Sequence, residues 1–356
     1  MKIDVAELLR QGQENQDREH VNDEREKLGT LRGGSVGCIL EDERIVGGSM
    51  RQALARYEGL YENHAPNKKI MFGLGLANED IWASLLKKAN VNFLREEELG
   101  LEWNINGVKA TGRPDIVICD NNNKPALGLE LKMVASVWSA RGVLSEFKPK
   151  IGHMIQAGNY SYRMGIPFEL WYTSYVNLAG PDFATRLMPK RGGEMSEWIE
   201  YTLGEMKVSR RSKTGKPTLH KMHVYAQDID LSNEELKNKY GVTASQFKHI
   251  RPFRVGYQLE WRGNDLWWKP VGMDVEMKKS PITKSGIDNY YKQILQHSKD
   301  KSLPPETMAV DIFGEKLKFK LKDYSTIDKA SQEATDFEDW KRRILELDKW
   351  TDLTGE

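Results

Sequence analysis

Apolar residues recur at helical and then at strand spacing through the middle of the chain. The stretch "IMFGLGLANEDIWASLLKKANVNF" predicts a helix, and Asn78 is its candidate N-cap. The residues that we expect to form its buried face are Ile81, Trp82, Leu85, Leu86 and Ala89. The pattern therefore places this helix against the core.

Three runs with strand-like composition follow, "GLEWNI", "RPDIVIC" and "ALGLELKM", and turn residues separate them. We expect them to form an antiparallel meander. "KIGHMIQAGNYSYRMG" then predicts a helix that ends at Gly165, and "PFELWYTSYV" predicts another strand. Because a strand that returns through a helical crossover adds in parallel, the predicted fold class is α/β with a mixed sheet.

The pattern divides the chain into a charged N-terminal arm (1–30), a core (31–180) and an accessory region (181–356). The arm is expected to be a solvated helix or a disordered segment. In the accessory region we expect a basic loop (207–223), a segment that resembles a helix-turn-helix (231–251), a β-hairpin (255–271) and a C-terminal helix (329–349). Ordinary solvated loops and helix pairs show the same patterns as the basic loop and the helix-turn-helix, so both interpretations stay open.

Composition narrows the classes of protein. The 356 residues are 39% hydrophobic and 29% charged, with a formal charge of +1 and two cysteines. We find no apolar run that could span a bilayer and no leading signal peptide, so a cytoplasmic protein without a membrane partner is expected. Two cysteines are too few for an iron–sulfur cluster or a four-thiolate zinc site, so a metal here would be held by oxygen.

The segment "GRPDIVICDNNNKPALGLELKMV" carries charges within strand-like runs. If Cys119 faces Ala126, the hairpin register places Asp115 opposite Glu130 and Arg113 opposite Lys132. Two carboxylates about 5 Å apart destabilise a sheet, and a bound Mg²⁺ or Mn²⁺ would relieve their repulsion. A half-exposed hairpin in which Arg113 and Lys132 form salt bridges fits the same pattern equally well.

These residues resemble the PD-(D/E)XK nucleases, in particular the exonuclease branch with the phage lambda exonuclease type and the RecB-type nuclease domain. Pro114-Asp115 and Glu130-Leu131-Lys132 look like the central motif of the family. Gly75-x-x-x-Glu79 is similar to the first acidic motif of the branch, and Gln156-x-x-x-Tyr160 to its Q-x-x-x-Y motif. The resemblance implies a restriction-endonuclease-like core, here without an iron–sulfur cluster.

The resemblance also implies roles at the metal. Asp115 and Glu130 would be metal ligands with the backbone carbonyl of Leu131, and Glu79 would complete the set. Lys132 would orient or deprotonate the attacking water, or stabilise the transition state. The expected cofactor is Mg²⁺, for which Mn²⁺ would substitute.

Further residues are expected to contact DNA. Gln156, Tyr160 and Arg163 recur along one helical face and would hold phosphates. Arg32 and Ser35, in "LRGGSVGCIL", look like the arginine and serine with which the lambda-type branch contacts a terminal 5′ phosphate, although a Gly-rich turn before a helix explains the same letters. The remaining candidates are Arg113, Arg210, Arg211 and Lys213.

The expected function is therefore a metal-dependent deoxyribonuclease, an exonuclease of recombination, repair or DNA degradation of the kind that phages encode. A structure- or sequence-specific endonuclease or nickase and a DNA-binding module with an inactive core are the alternatives. Expected partners are DNA and a single-strand annealing or recombination protein, and association of copies of the chain into an oligomer stays open.

Overall fold

The computed structural model describes residues 21–22, 24–63, 66–95, 98–134, 143, 148–174, 198–202, 205–209, 254–272, 275–315, 325–347 and 350–354. Its main helices are α1 (Met50–Tyr57), α2 (Pro66–Lys88), α3 (Ile151–Met164), α4 (Lys284–Asp300), α5 (Ser325–Glu333) and α6 (Phe337–Leu345). Its strands are β1 (Leu31–Arg32), β2 (Gly37–Ile39), β3 (Ile45–Gly47), β4 (Leu60–Glu62), β5 (Phe93–Arg95), β6 (Leu101–Ile105), β7 (Val108–Gly112), β8 (Ile116–Cys119), β9 (Pro125–Val134), β10 (Phe168–Ser174), β11 (Trp198–Thr202), β12 (Glu205–Ser209), β13 (Arg254–Arg262), β14 (Asp265–Pro270), β15 (Lys278–Thr283) and β16 (Trp350–Asp352).

The main sheet has seven strands in the order β15-β14-β13-β10-β9-β8-β5. Only the β9–β10 pair within it is parallel, and α3 lies between these two strands in the chain. The other neighbours run antiparallel. The prediction of an α/β chain with a mixed sheet and a parallel return strand is therefore confirmed.

The predicted three-strand meander is wrong in its membership. β6, which contains most of "GLEWNI", pairs with β7 in a separate three-stranded sheet of order β1-β7-β6. β5 takes the expected place of β6 beside β8. The sequence "VKATG" of β7 contains few large apolar residues, so its strand pattern is weak.

Helix α2 begins twelve residues before its predicted N-cap, so Asn78 lies inside the helix, where it is buried. The face that it buries also differs from the prediction. Ala83 packs in the core with the half-buried Trp82 and Leu86, whereas Ile81 is 59% and Leu85 48% exposed, and Ala89 is exposed beyond the end of the helix. The helix is therefore rotated relative to the simple apolar stripe, with Asn78 buried and Glu79 half-buried.

Two hydrophobic clusters lie on opposite faces of the main sheet. The smaller contains Ala83 of α2 with Ile116, Leu129 and Leu131. The larger contains the buried residues of α3 and α4 and extends over β10, β13 and β14. Helix α3 ends at Gly165 in a left-handed conformation with φ of 68°, as the sequence predicted.

The boundary at 180/181 does not separate two cores. The predicted hairpin (255–271) is confirmed as β13 and β14, but β13 pairs directly with β10, and its buried residues belong to the larger cluster. Strands from both sides of the boundary therefore share one sheet.

The expected C-terminal helix (329–349) is two helices, α5 and α6. Asp336 interrupts them because it caps α6 by accepting the N–H of Asp339 at 2.8 Å. Phe337, Trp340 and Ile344 form the buried face that their spacing predicts. In the described part of the chain, no helix combines the length and the apolar character needed to cross a membrane.

Several predictions fall on other residues. Arg210, Arg211, Lys213, the helix-turn-helix segment (231–251) and residues 1–20 of the arm lie outside the described residues. The start of the expected basic loop, Lys207–Ser209, belongs to strand β12. At the end of the expected solvated arm, Glu24 is instead buried and accepts a hydrogen bond from Arg32 at 2.5 Å.

Candidate active site

The hairpin of β8 and β9 has the predicted register through most of its length. Ile116 pairs with Leu129, Val117 with Gly128 and Ile118 with Leu127. The register shifts at Cys119, which pairs with Pro125 and not with Ala126 as expected. Extending the regular pairs by one position places Asp115 across from Glu130, as predicted.

The local sequence explains the shift at the turn. The side chain of Asp120 accepts the backbone N–H groups of Asn122 and Lys124 at 2.8 and 2.9 Å, and Asn123 adopts a φ of 57°. Short polar side chains of this kind bond to the nearby backbone and tolerate the left-handed conformation. The Asp120 side chain thus reinforces a turn that backbone bonds between Asp120, Asn123 and Lys124 also close, and the regular ladder starts only at Ile118.

The side chain of Asp115 reaches across to β9. Its Oδ2 accepts the backbone N–H of Leu131 at 2.6 Å, which fixes the half-buried carboxylate beside Glu130 and Lys132. The Leu131 side chain points to the opposite face of the sheet, into the smaller cluster. The Pro-Asp and Glu-Leu-Lys motifs thus meet through a direct hydrogen bond.

Glu130 is fully buried, and it is the most unusual group of the site. Its Oε1 accepts a hydrogen bond from Lys132 Nζ at 2.5 Å. Its Oε2 is also buried, and within the described residues this oxygen has no hydrogen-bond partner. Buried polar atoms are nearly always paired, so an unpaired carboxylate oxygen indicates a missing ligand or a proton.

The charges around Glu130 also indicate that this carboxylate holds a proton or binds a cation. Burial, followed by the charge of Asp115, raises the pKa of Glu130 to about 8; Lys132 opposes the shift, and Glu79 adds to it. Burial alone would lower the pKa of Lys132, but the charges of Glu130, Asp115 and Glu79 outweigh burial and raise it. Three carboxylates therefore act on one small volume, which a cation would stabilise.

Glu79, whose charge acts on Glu130, lies in the middle of α2 and not at its start, where the predicted N-cap at Asn78 would place it. Its side chain is half-buried on the inward face of the helix. Among the described residues, no three His, Cys, Asp or Glu side chains are assembled at metal-coordinating distances. Mg²⁺ commonly uses one or two carboxylates and completes its shell with water, so Asp115 and Glu130 suffice as an initial ligand set.

Gln156 and Tyr160 lie on α3 and face the same carboxylates. Tyr160 is 2% exposed. Burial and the charges of Glu130 and Asp115 raise its pKa far above the ordinary value, whereas a hydrogen bond with Gln156 opposes the shift. The predicted Q-x-x-x-Y pair and the predicted metal ligands therefore come together.

Two glycines make room for the Tyr160 ring. A Cβ atom on Gly112 would lie 2.5 Å from Tyr160 Cε1, and one on Gly33 would lie 2.8 Å from the same atom. At Gly34, an added Cβ would lie 3.7 Å from both Gln156 Nε2 and the Tyr160 hydroxyl. The Gly-Gly turn after Arg32 thus borders the Gln156–Tyr160 pair directly.

Arg32 and Ser35 flank this turn, and the structure adds a residue that the sequence did not indicate. Arg56 of α1 donates to Ser35 Oγ at 2.7 Å. Burial, and next the charge of Arg32, lower the pKa of Arg56, which the charges of Glu62 and Glu24 partly offset. Arg32 is paired with Glu24, so the Arg56 guanidinium and the Ser35 hydroxyl are the groups here that could bind an anion. No local pattern relates Arg56 to Ser35, 21 residues earlier.

Arg163 does not join the site. It forms an ion pair with Asp288 of α4, and its guanidinium stacks on the rings of Tyr162, at 4.2 Å, and Trp103, at 5.4 Å. Its side chain is only 11% exposed. Its position on the helix suggested a contact with DNA. Its ion pair with Asp288 instead holds α3 against α4. Arg113, by contrast, is exposed beside Asp115.

No protein-family model matches the chain, and no curated protein matches it. A solved structure described as "Crystal structure of SSO0001" is similar at 23% sequence identity, over 44% of this chain and 70% of that chain, with a TM-score of 0.27. At this TM-score the similarity identifies neither a shared fold nor a shared function.

Proposed function

We propose that the protein is a Mg²⁺-dependent deoxyribonuclease with a restriction-endonuclease-like core of the PD-(D/E)XK exonuclease branch. The single observation that carries the proposal is the state of Glu130, a fully buried carboxylate with one unpaired oxygen beside Asp115, Glu79 and Lys132. A structural ion pair between Glu130 and Lys132 alone does not explain why two further carboxylates lie within electrostatic range. A cation-dependent reaction on an anionic substrate explains all four groups.

The residues present fit a hard divalent cation. Asp115 and Glu130 would bind it, with the Leu131 carbonyl and Glu79 completing the set directly or through water, and the ligands are all oxygen atoms. When bound, Mg²⁺ would supply Lewis-acid stabilisation of phosphate charge and activation of a water. The unpaired Oε2 of Glu130 is the atom that such an ion would satisfy.

The organic groups of the site have distinct roles. Lys132, held 2.5 Å from Glu130, would present a positive charge at the cation site, where it orients the attacking water or stabilises negative charge on the phosphate oxygens in the transition state. Gln156 and Tyr160 are neutral donors on the facing helix, and they hold phosphate oxygens without reading bases. The buried Tyr160 stays protonated because its pKa is raised, so it donates throughout the neutral range.

We propose that residues beside this site recognise the end of a DNA strand, which would make the enzyme an exonuclease. Arg32, Ser35 and Arg56 line one small cavity, and Gly34 borders Gln156 and Tyr160. Binding of a terminal phosphate there would place the end of a strand next to the carboxylates. A single-strand annealing partner and association of copies of the chain follow from the same resemblance and stay predictions.

The test is a digestion series with Mg²⁺ or Mn²⁺ on end-labelled linear duplex, linear single strand and covalently closed circular DNA. We expect the linear substrates to be degraded from their ends and the circle to survive, and Asp115→Asn to abolish degradation. Discrete cuts in the circular DNA would show that the protein is an endonuclease and not an exonuclease. No metal-dependent hydrolysis of any substrate would refute the enzyme.

A second substrate pair tests the end-binding group. Linear duplexes with a 5′ phosphate and with a 5′ hydroxyl should be degraded at different rates by the wild type and at similar rates by Ser35→Ala and Arg56→Met. Equal preference for the phosphate in all three proteins would place end recognition elsewhere.

A DNA-binding module with an inactive core is the second candidate. One observation favours it: Lys132 already forms a close ion pair with Glu130, which neutralises part of the acidic group without a cation. In that case the protein would bind DNA in the digestion series without cutting it.

A further inference from the structure

Helix α3 carries a third polar residue in line with the Q-x-x-x-Y pair. His153 lies one turn before Gln156 and two turns before Tyr160, and at 100° per residue the three share one face. The resemblance to nucleases assigns nothing to this position, and a single histidine in a sequence is usually structural. Its surroundings in the structure are specific.

The Nδ1 atom of His153 lies 3.1 Å from the hydroxyl of Tyr172, and the two rings stack with centroids 5.6 Å apart. Tyr172 also accepts the backbone N–H of Lys150 at 3.0 Å. Tyr172 is fully buried on β10, and its register partner on β9 is Lys132. His153 therefore contacts Tyr172, and Tyr172 lies beside Lys132, the proposed catalytic lysine, on the neighbouring strand.

These contacts favour one tautomer. The Tyr172 hydroxyl accepts the backbone N–H of Lys150, and it can donate its own proton to His153 Nδ1. The ring proton of a neutral histidine then lies on Nε2. Burial, and after it the charges of Lys132 and Lys150, lower the pKa of His153 well below its ordinary value, so the ring is neutral at neutral pH.

A neutral histidine in this state is a hydrogen-bond donor and not a base. Its Nδ1 is occupied, its Nε2 carries the proton, and the part of the chain that the structure describes provides no hydrogen bond to Nε2. The charges of Lys132 and Lys150 both act on the ring, and because Lys132 is paired with Glu130, Lys150 is the cation that would favour an anionic acceptor there.

We propose that His153 is a substrate-positioning residue that donates from Nε2 to a phosphate oxygen of the bound strand, beside the phosphate held by Gln156 and Tyr160. The proposal rests on the proposed function, since it names the substrate group that the same site holds. The helix then presents a row of three neutral donors along the strand, and Tyr172 keeps the first of them in the donating tautomer.

The test uses DNA duplexes in which single phosphates near the labelled end are replaced by neutral methylphosphonates. Binding is measured in EDTA for the wild type, His153→Leu and His153→Gln, and KM and kcat are measured in Mg²⁺ on unmodified DNA. A charge-assisted hydrogen bond of this kind contributes roughly tenfold or more to affinity. His297, which bonds to Ser302 at the end of α4, supplies the control variant His297→Gln.

We expect His153→Leu to raise both KM and the dissociation constant about tenfold with kcat changed little, and His153→Gln to recover most of the loss. Wild-type protein should be weakened by a methylphosphonate at one position to which His153→Leu is insensitive. Tyr172→Phe should give an intermediate loss, because the ring then samples the other tautomer, and His297→Gln should match the wild type.

Two results would overturn the inference. One is an equal methylphosphonate penalty for wild type and His153→Leu at every position. The other is unchanged KM and affinity in a His153→Leu protein that melts like the wild type. If His153→Leu does not fold, Tyr172→Phe carries the same comparison, because it should show a measurable loss of affinity while keeping the histidine. Failure of the proposed function is separate, since wild-type protein would then show no metal-dependent hydrolysis at all.

Discussion

Strand β9 presents two faces that are both buried and yet differ in kind. On one face, Leu129 and Leu131 pack against Ile116 and Ala83 of α2 in an apolar cluster. On the other, Glu130 is fully buried and Lys132 is 22% exposed beside it. Burial of the leucines is favourable through the hydrophobic effect. Burial of a carboxylate costs desolvation free energy, and we attribute its presence here to function.

The comparison separates stability from chemistry on adjacent residues of one strand. Side chains alternate between the faces, so neighbouring substitutions test different properties without moving the backbone. Changes on the charged face should alter activity, and changes on the apolar face should alter the free energy of unfolding.

The largest expected effect is on hydrolysis. Lys132→Met should reduce kcat by about 10²–10⁴-fold, the usual contribution of one positioned acid–base or charge-stabilising group. Lys124→Met is the matched control, because Lys124 is exposed in the turn of the same hairpin. Single-turnover hydrolysis of labelled duplex measures both; a Lys132→Met enzyme as fast as the Lys124→Met enzyme would remove the lysine from the mechanism.

The apolar face should show the opposite behaviour. Leu129→Ala should lower the free energy of unfolding by about 2–5 kcal/mol, because Leu129 is 3% exposed and its loss leaves a cavity. The half-buried Leu127 lies on the same face, so Leu127→Ala should cost less. Urea denaturation measures both, and hydrolysis by the folded fraction should be retained. A large loss of kcat in folded Leu129→Ala would contradict the separation.

The pH dependence of stability comes next. Without metal, the pKa of Glu130 is raised from 4.5 to about 8, so the native state holds an extra proton between these values. Stability contributed by this group is therefore complete below pH 4.5 and is lost as pH rises towards 8. Glu130→Gln lacks this loss, so its stability relative to the wild type should rise with pH, by at most about 1.4 kcal/mol per unit. Parallel curves for the two proteins in EDTA would contradict the raised pKa.

The smallest expected effect concerns Arg163. Because it is paired with Asp288 and stacked between two rings, Arg163→Met should destabilise the protein but change hydrolysis by the folded protein less than about twofold. Gln156→Leu, on the same helix, should impair hydrolysis without comparable destabilisation. Equal kinetic losses in the two variants would return Arg163 to the DNA-binding surface.

The sequence predicted features that depend on local pattern. The apolar spacing and Gly165 predicted α3, the apolar alternation predicted the hairpin of β13 and β14, and the hairpin register predicted the pairs of β8 and β9 from Ile116–Leu129 to Ile118–Leu127. Each of these follows from contacts between residues near in sequence, where side-chain period and turn chemistry decide the outcome.

Features that depend on distant partners were missed. β7 is a strand because it pairs with β6 and β1, although its own apolar pattern is weak. Arg163 meets Asp288 and Arg56 meets Ser35 only after the helices pack, so helical spacing misplaced the first and did not indicate the second. Ile81 and Leu85 of α2 are exposed because the helix packs on the sheet through Ala83, Trp82 and Leu86, a choice of face that the apolar spacing did not indicate.

A calorimetric titration of metal-free protein with Mn²⁺ tests the central claim most directly, because it asks whether the buried carboxylates hold a divalent cation. We predict saturable binding at pH 7 that releases protons, since Glu130 must ionise to bind, and loss of that binding in Asp115→Asn and in Glu130→Gln. Absence of binding to the wild type, or undiminished binding to both variants, would contradict the account.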